Sequence, residues 1–219
     1  MTNSIYQKRL RESETLFAYE RELYTSSCII VGIDEVGRGS LAGPVTAAAV
    51  VLGAEWQPEY APGLRDSKQL NAKRRAELAG QLAESALSLS IAHVEAAVID
   101  QVGIMPALHR AMKDALYGLG LQEEPDHILI DGLPLGLFPK EEAIVKGDSK
   151  VACIAAASIL AKESRDQLMI DAARQYPEYG FESNKGYGSA VHQQAIVKHG
   201  LTPLHRHSFC GNFLQDSLF

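Results

Sequence analysis

The chain has 219 residues, 46% of them hydrophobic and 22% charged, with a formal net charge of -6. This balance describes a soluble globular domain with a sizeable core. It argues against a general nucleic-acid binder on charge alone, and no apolar run approaches the roughly 20 residues of a membrane span.

The N-terminal stretch, residues 1–27, mixes Arg, Glu and a few aromatics. It reads as a helical arm packed on the domain, with no apolar signal core. Cys28-Ile29-Ile30-Val31-Gly32-Ile33 is an apolar β-type run that stops at two adjacent acids, Asp34 and Glu35. A Gly37-Arg38-Gly39 turn follows, and after Gly43-Pro44 a second apolar run extends from Val45 to Leu52. Gly37-x-Gly39-x-x-Ala42 also fits a loose dinucleotide-binding fingerprint, but that fingerprint needs a helix whose N-terminus faces pyrophosphate. Pro44 and the β-branched run after it read as strand instead, and Glu35 would aim a negative charge at the phosphates. Residues 53–63, with Pro58 and Pro62, read as loop. Asn71 reads as the N-cap of a helix through Leu78 and Leu82 to about Ser85. Leu87 to Glu95 alternates as a third strand, and Ala107 to Leu116 is an amphipathic helix. His127 to Gly132 is a fourth strand ending in Asp131, and Ala143 to Asp148 is a fifth that repeats the pattern. Val151 to Gln175 is a long alanine-rich helix stopped by Pro177. Asn184 to Gly188 is a glycine-rich turn, and Ala190 to His199 is a short helix ended by Gly200. Strands followed by strands alternating with helices predict an α/β layer fold, a mixed central sheet flanked by helices.

Three strand ends therefore carry acids: Asp34-Glu35, Asp131 and Asp148. Ligands of open α/β sheets sit at such ends. Four carboxylates without clustered His or Cys favour a hard, oxygen-loving cation, Mg2+ or Mn2+. Left unpaired, the acids would repel one another and several would stay protonated. Carboxylates that hold two such ions about 4 Å apart activate a water and stabilise a leaving oxygen in phosphodiester cleavage. Adjacent strand residues point to opposite faces, so Asp34 and Glu35 share a site only if the strand breaks or bulges between them. Three cysteines far apart, Cys28, Cys153 and Cys210, form no C-x-x-C pair and no disulfide set, so free thiols in a reducing cytoplasm are expected. Between Ser183 and Gln215 there is no Asp or Glu, whereas Lys185, Lys198, Arg206 and four histidines fall there. That is either a docking face for an anion or a solvated, loop-rich surface.

The run from Gly32 to Pro44, GIDEVGRGSLAGP, resembles the signature of ribonuclease HII. So do Asp66-Ser67-Lys68-Gln69-Leu70, Ile130-Asp131-Gly132, Lys146-Gly147-Asp148, Ala156 to Lys162, Arg165-Asp166, Lys185-Gly186-Tyr187 and His205 to Phe209, in that order. Type-III relatives carry a different residue set around the glycine turn. The resemblance implies a ribonuclease H-like fold and metal-dependent cleavage of RNA strands, including single ribonucleotides, embedded in duplex DNA. It implies Asp34, Glu35, Asp131 and Asp148 as the ligands of two metal ions. It implies that Gly37, Arg38 and Gly39 read the ribonucleotide 2′-hydroxyl through the backbone, and that Tyr187 packs on the sugar at the RNA–DNA junction. Backbone approach suits glycine, the 2′-hydroxyl is what tells RNA from DNA, and an aromatic ring stacks without a sequence requirement. Lys146, Lys185, Ser67 and Lys68 are expected at phosphates. Asp166, four residues after Lys162, is left out of the metal set as a helix ion pair, and Ser158 reads as a close-packing residue. A non-catalytic nucleic-acid-binding module on the same fold is the alternative, and loss of an acid would favour it; all four are present.

The expected organisation is a helical arm over 1–27, a catalytic core over 28–188, a helical segment over 189–210 that completes the substrate cleft, and a tail over 211–219, in a monomer. The last five residues, Gln215-Asp216-Ser217-Leu218-Phe219, resemble the short peptide by which bacterial repair enzymes dock on the DNA sliding clamp, with Asp216 where leucine is usual. Gln215, Leu218 and Phe219 would make that contact as an extended segment.

Overall fold

The computed structural model describes residues 3–24 and 28–215. The two apolar runs around the glycine turn become β1 (Ile30–Val36) and β2 (Val45–Val51), and the alternating segment becomes β3 (Ser88–Val94). With β4 (His127–Asp131) and β5 (Glu141–Ile144) they form a mixed sheet in the order β3-β2-β1-β4-β5. The first three strands are an antiparallel meander, and β4 and β5 join parallel to β1.

Two expectations about the strand ends are corrected. Strand β1 does not stop at Ile33. Asp34 and Glu35 remain in register with Ala48 and Ala47 of β2, and the expected break between them is absent. Only the parallel ladder to β4 ends there, its last pair being Ile33 with Ile130. Polar side chains are tolerated at the end of β1 because the sheet opens on that side. Strand β5 also ends earlier than expected. Lys146 takes a left-handed backbone, φ 57°, and Asp148 sits beyond it in a 3-10 turn over Gly147–Ser149.

The helices are α1 (Asn3–Leu23), α2 (Ala72–Ser85), α3 (Ala96–Val102), α4 (Ile104–Gly118), α5 (Ala152–Gln175), α6 (Phe181–Asn184), α7 (Ala190–His199) and α8 (His207–Gln215). Asn71 caps α2 as expected, accepting from the Arg74 N–H at 2.9 Å. Helices α3, α6 and α8 had no periodic signature. Helix α8 carries the chain through residue 215, past the residue 211 at which a tail was expected. Leu218 and Phe219 lie outside the described residues. No helix among the described residues is long and apolar enough to cross a membrane.

Alternation along β1 divides the core. Ile30, Ala48, Val50 and Leu129 pack against α5 together with α1 and α2, while Val31, Ile33, Ala47, Ala49 and Ile130 pack against α3 and α4. Gly32 is what brings α5 onto β1, because a Cβ there would overlap the Cys153 backbone and sulfur. Arm α1 is held by its own polar residues. Ser13 accepts the N–H groups of Gly63 and Leu64 at 2.9 and 3.0 Å, and buried Glu20 accepts the Cys153 N–H at 2.7 Å, near the start of α5. A third core, with Leu41, Met169, Tyr179, Phe181, Ile196 and Cys210, joins the C-terminal helices to the glycine turn.

Candidate active site

The strand register decides which acids meet. Gly32 is level with Leu129 across the parallel ladder, so Asp34 and Asp131, each two residues on, stand side by side on the α5 face. The 3-10 turn adds Asp148. Ligand oxygens of Asp34, Asp131 and Asp148 all lie within 4.8 Å of one another. Glu35 falls outside that group, as alternation on an unbroken strand requires. Each of two acids is anchored through one oxygen: Asp34 Oδ1 accepts the Glu35 N–H at 2.7 Å, and Asp131 Oδ1 accepts the Gly147 N–H at 2.7 Å.

Burial, then Glu35 and Asp131, push Asp34 well above the usual carboxylate range, against a hydrogen bond from Ser158. Burial, Asp66 and Asp131 raise Asp148, against Lys68. Burial and Asp131 raise Glu35, against Arg38 and Lys68. The counter-charge within ion-pair reach of the cluster is Lys68, whose Nζ lies 3.6 Å from Asp148 Oδ2. Burial opposes the Lys68 charge, but Asp148, Asp34, Asp66 and Asp131 outweigh it and hold the ammonium above the usual lysine range. One lysine against four acids leaves an excess of negative charge. An all-oxygen donor set under that excess fits a hard divalent cation, so the residues present suit Mg2+ or Mn2+.

The other expected residues separate into groups. Ser67 is buried, and its hydroxyl lies 2.9 Å from that of Ser158 on α5. Ser158 in turn bonds Asp34, so it is a polar link behind the acids as well as a packing residue. Asp166 makes the expected helix ion pair with Lys162 and also pairs with Arg75, at 3.2 Å in the latter case. Lys146 is exposed beside the acids in sequence, and Lys185 has a left-handed backbone, φ 53°.

Two fully buried arginines build the glycine turn, a role that the sequence reading assigns to neither. Arg206 donates from Nε and one terminal nitrogen to the Gly43 carbonyl at 3.0 and 2.9 Å, and to the carbonyls of Arg38 and Gly37 at 3.0 and 2.7 Å. Arg165 donates to the carbonyls of Pro44, Lys185 and Ala42 at 2.8, 2.9 and 3.0 Å and to the Ser40 hydroxyl at 2.7 Å. Neither makes an ion pair among the described residues, and burial and the nearby Arg165 hold Arg206 down to about 10. Arg206 belongs to the basic C-terminal stretch, so part of that charge points inward. Arg165 ties the turn to Lys185, and the Gly186 carbonyl accepts the N–H groups of Leu41 and Ala42 at 2.8 and 3.1 Å. The glycines also differ. At Gly37, φ 85°, a Cβ would overlap the Arg165 side chain, whereas nothing lies within 4 Å of a Cβ at Gly39. Arg38 and Gly39 are exposed, and Tyr187 is 38% exposed with the Arg165 guanidinium 5.4 Å from its ring centre.

A family model for ribonuclease HII matches residues 31–212. A ribonuclease HII from Ruegeria sp. (strain TM1040) is 51% identical over 182 residues, covering 82% of this chain and 77% of the relative. The ribonuclease H2 of Pyrococcus horikoshii OT3 superimposes with a TM-score of 0.73 at 23% identity, covering 86% of this chain and 98% of that one, which shows the fold. The ribonuclease HII of Archaeoglobus fulgidus, solved as a complex with PCNA, gives a TM-score of 0.66 at 25% identity over 81% of this chain and 93% of that one.

Proposed function

The chain belongs to the ribonuclease HII family, and we propose that Asp34, Asp131 and Asp148, with Glu35 as the fourth carboxylate, are its metal-binding catalytic set. As a family member it is a metal-dependent endoribonuclease, a hydrolase acting on RNA–DNA hybrids. The finer reading is cleavage on the 5′ side of single ribonucleotides in duplex DNA, leaving a 3′-hydroxyl and a 5′-phosphate. The observation that carries the site is the convergence of three carboxylates, two of them buried, with oxygens within 4.8 Å.

Two Mg2+ or Mn2+ ions, when bound, supply an activated water and charge neutralisation at the scissile phosphate. The chain's own residues do the rest. Strand register sets Asp34 beside Asp131, and the Gly147 N–H fixes one Asp131 oxygen, so the donor set is built before substrate arrives. Lys68 stands at the rim beside Asp148, where it meets a phosphate, and Lys146 and Lys185 add positive charge around the cleft. Arg206 holds the carbonyls of Gly37 and Arg38 inward, and Arg165 holds the Ser40 hydroxyl and the Ala42 carbonyl that follow the turn. The exposed backbone of Arg38 and Gly39 then meets the sugar edge, with Tyr187 packing on the sugar at the junction.

The test is a duplex carrying one ribonucleotide, incubated with and without Mg2+ and with its ends mapped. A Mg2+-dependent cut 5′ of the ribonucleotide supports the reading; binding without cleavage would favour the non-catalytic module instead. Docking on a DNA sliding clamp is part of the same proposal, supported by the PCNA complex of the Archaeoglobus fulgidus relative. Helix α8 ends at Gln215, the first residue of the clamp-like peptide. Deleting Leu218 and Phe219 is expected to abolish binding of the full-length protein to the clamp, and retained binding would remove the tail from this role.

A further inference from the structure

Behind Tyr187 two buried histidines form a chain whose protons can be placed. The Thr202 backbone N–H points at His205 Nδ1 at 2.9 Å, and the Thr202 hydroxyl, which accepts the Leu204 N–H, lies 2.9 Å from the same nitrogen and can donate to it. A backbone N–H only donates, so this nitrogen accepts and the proton of the neutral ring is on Nε2. That Nε2 lies 3.1 Å from His192 Nε2, which therefore accepts. The His192 proton is then on Nδ1, 2.9 Å from the Tyr187 carbonyl oxygen. One combination of neutral tautomers satisfies all three contacts, and a charged His205 would set an N–H against the Thr202 N–H.

The surroundings favour neutral rings. His192 and His205 are 0% and 1% exposed, with the Phe181 ring 5.3 Å from one and the Tyr179 ring 5.0 Å from the other. Burial, with His192 nearby, holds His205 down to about 4, and burial also lowers His192. The chain ends on a residue fixed from several sides. The Tyr187 carbonyl also accepts the Ser189 N–H at 2.8 Å, its N–H donates to Asn184 at 2.9 Å, and Arg165 covers its ring. Preorganised contacts on rigid partners are what hold a recognition side chain in place.

We propose that His192 and His205 are positioning residues: a neutral imidazole relay that fixes Tyr187 at the RNA–DNA junction and so sets selectivity for an isolated ribonucleotide. This rests on the junction role of Tyr187 given above. The opposing view is that the two rings only fill the C-terminal core.

A double-mutant cycle separates them, with the full-length enzyme, Tyr187→Ala, His192→Phe and the double variant. The readout is kcat/KM on a duplex with one ribonucleotide, divided by kcat/KM on a continuous RNA–DNA hybrid, which has no junction at the cut. His192→Phe is expected to lower this ratio about tenfold, the scale of one lost hydrogen bond. In the Tyr187→Ala background the same substitution should change it less than about twofold: the backbone carbonyl that His192 holds remains, but the ring it positions is gone. An unchanged ratio for His192→Phe, or an undiminished effect in the Tyr187→Ala background, overturns the relay. A wild-type ratio for Tyr187→Ala itself overturns the junction reading beneath it. Nitrogen NMR of the unmodified protein near neutral pH reads the protons without a substitution: Nδ1–H on His192 and Nε2–H on His205 are expected, and Nδ1–H or a charged ring at His205 refutes the relay.

Discussion

Replacing Arg206 by lysine keeps the charge and removes the fork. The arginine makes four hydrogen bonds to three carbonyls, those of Gly37 and Gly43, which are buried, and that of Arg38. A lysine ammonium is a single point on a flexible stem and does not reproduce a planar set of donors. At least two of those bonds are lost. Each buried acceptor left without a donor costs about 1–3 kcal/mol, so a loss of about 2–6 kcal/mol is expected for two, a large part of a typical domain's stability. Urea unfolding measures it, with a lowered midpoint and an unchanged slope. The released carbonyls also let the glycine turn rotate, and a displacement of about 1 Å at a reading site costs about a hundredfold in rate. Cleavage at a single ribonucleotide, measured where the variant is still folded, should fall accordingly. A variant within about 0.5 kcal/mol of the parent that cleaves normally would refute the claim that Arg206 builds the turn.

Ser158→Ala removes the hydroxyl between Ser67 and Asp34, and the Mg2+ concentration for half-maximal activity should rise roughly 10–100-fold, the scale for groups behind a metal ligand; an unchanged Mg2+ titration would make the serine a packing residue only. Gly39→Ala meets open space and should leave unfolding within about 0.5 kcal/mol while weakening single-ribonucleotide cleavage, whereas Gly37→Ala must displace Arg165 and should destabilise the fold; equal stabilities for the two would contradict the geometry. Glu20 is pushed up to about 7, chiefly by burial, from an ordinary value of 4.5. Its stability contribution is full below pH 4.5 and is lost as pH rises through 7, roughly 3 kcal/mol in all. Glu20→Gln keeps an acceptor for the Cys153 N–H and removes the charge. It should therefore be the more stable protein at pH 8, with the difference vanishing near pH 4.5; thermal melts across that range check it.

The acids were legible because carboxylates at the ends of buried strands stand out against an apolar run. Their number around one point was not. Which acids converge depends on the register between β1 and β4, set by contacts nearly a hundred residues apart in sequence, and on the continuation of β1 past Asp34 along β2. Asp148 looked like a strand end because Ala143 to Val145 is apolar; the left-handed Lys146 converts its surroundings into a turn. The Asn71 cap and helices α2, α5 and α7 were readable because their stop and start signals are local. Arg165, Arg206, His192 and His205 were not readable as site-building residues. A buried arginine satisfied by backbone carbonyls has no charged partner in the sequence to betray it, and a histidine in a basic-looking stretch gives no sign that it faces inward.

The most direct measurement is turnover of Asp34→Asn and Asp148→Asn on a single-ribonucleotide duplex at saturating Mg2+, with circular dichroism to confirm the fold and substrate binding measured separately. Each change removes a charge and little volume. A drop of at least about a hundredfold in kcat, the scale for one key electrostatic group, with binding retained, is expected. Near-parental turnover in either variant would mean that the carboxylate cluster is not the catalytic centre.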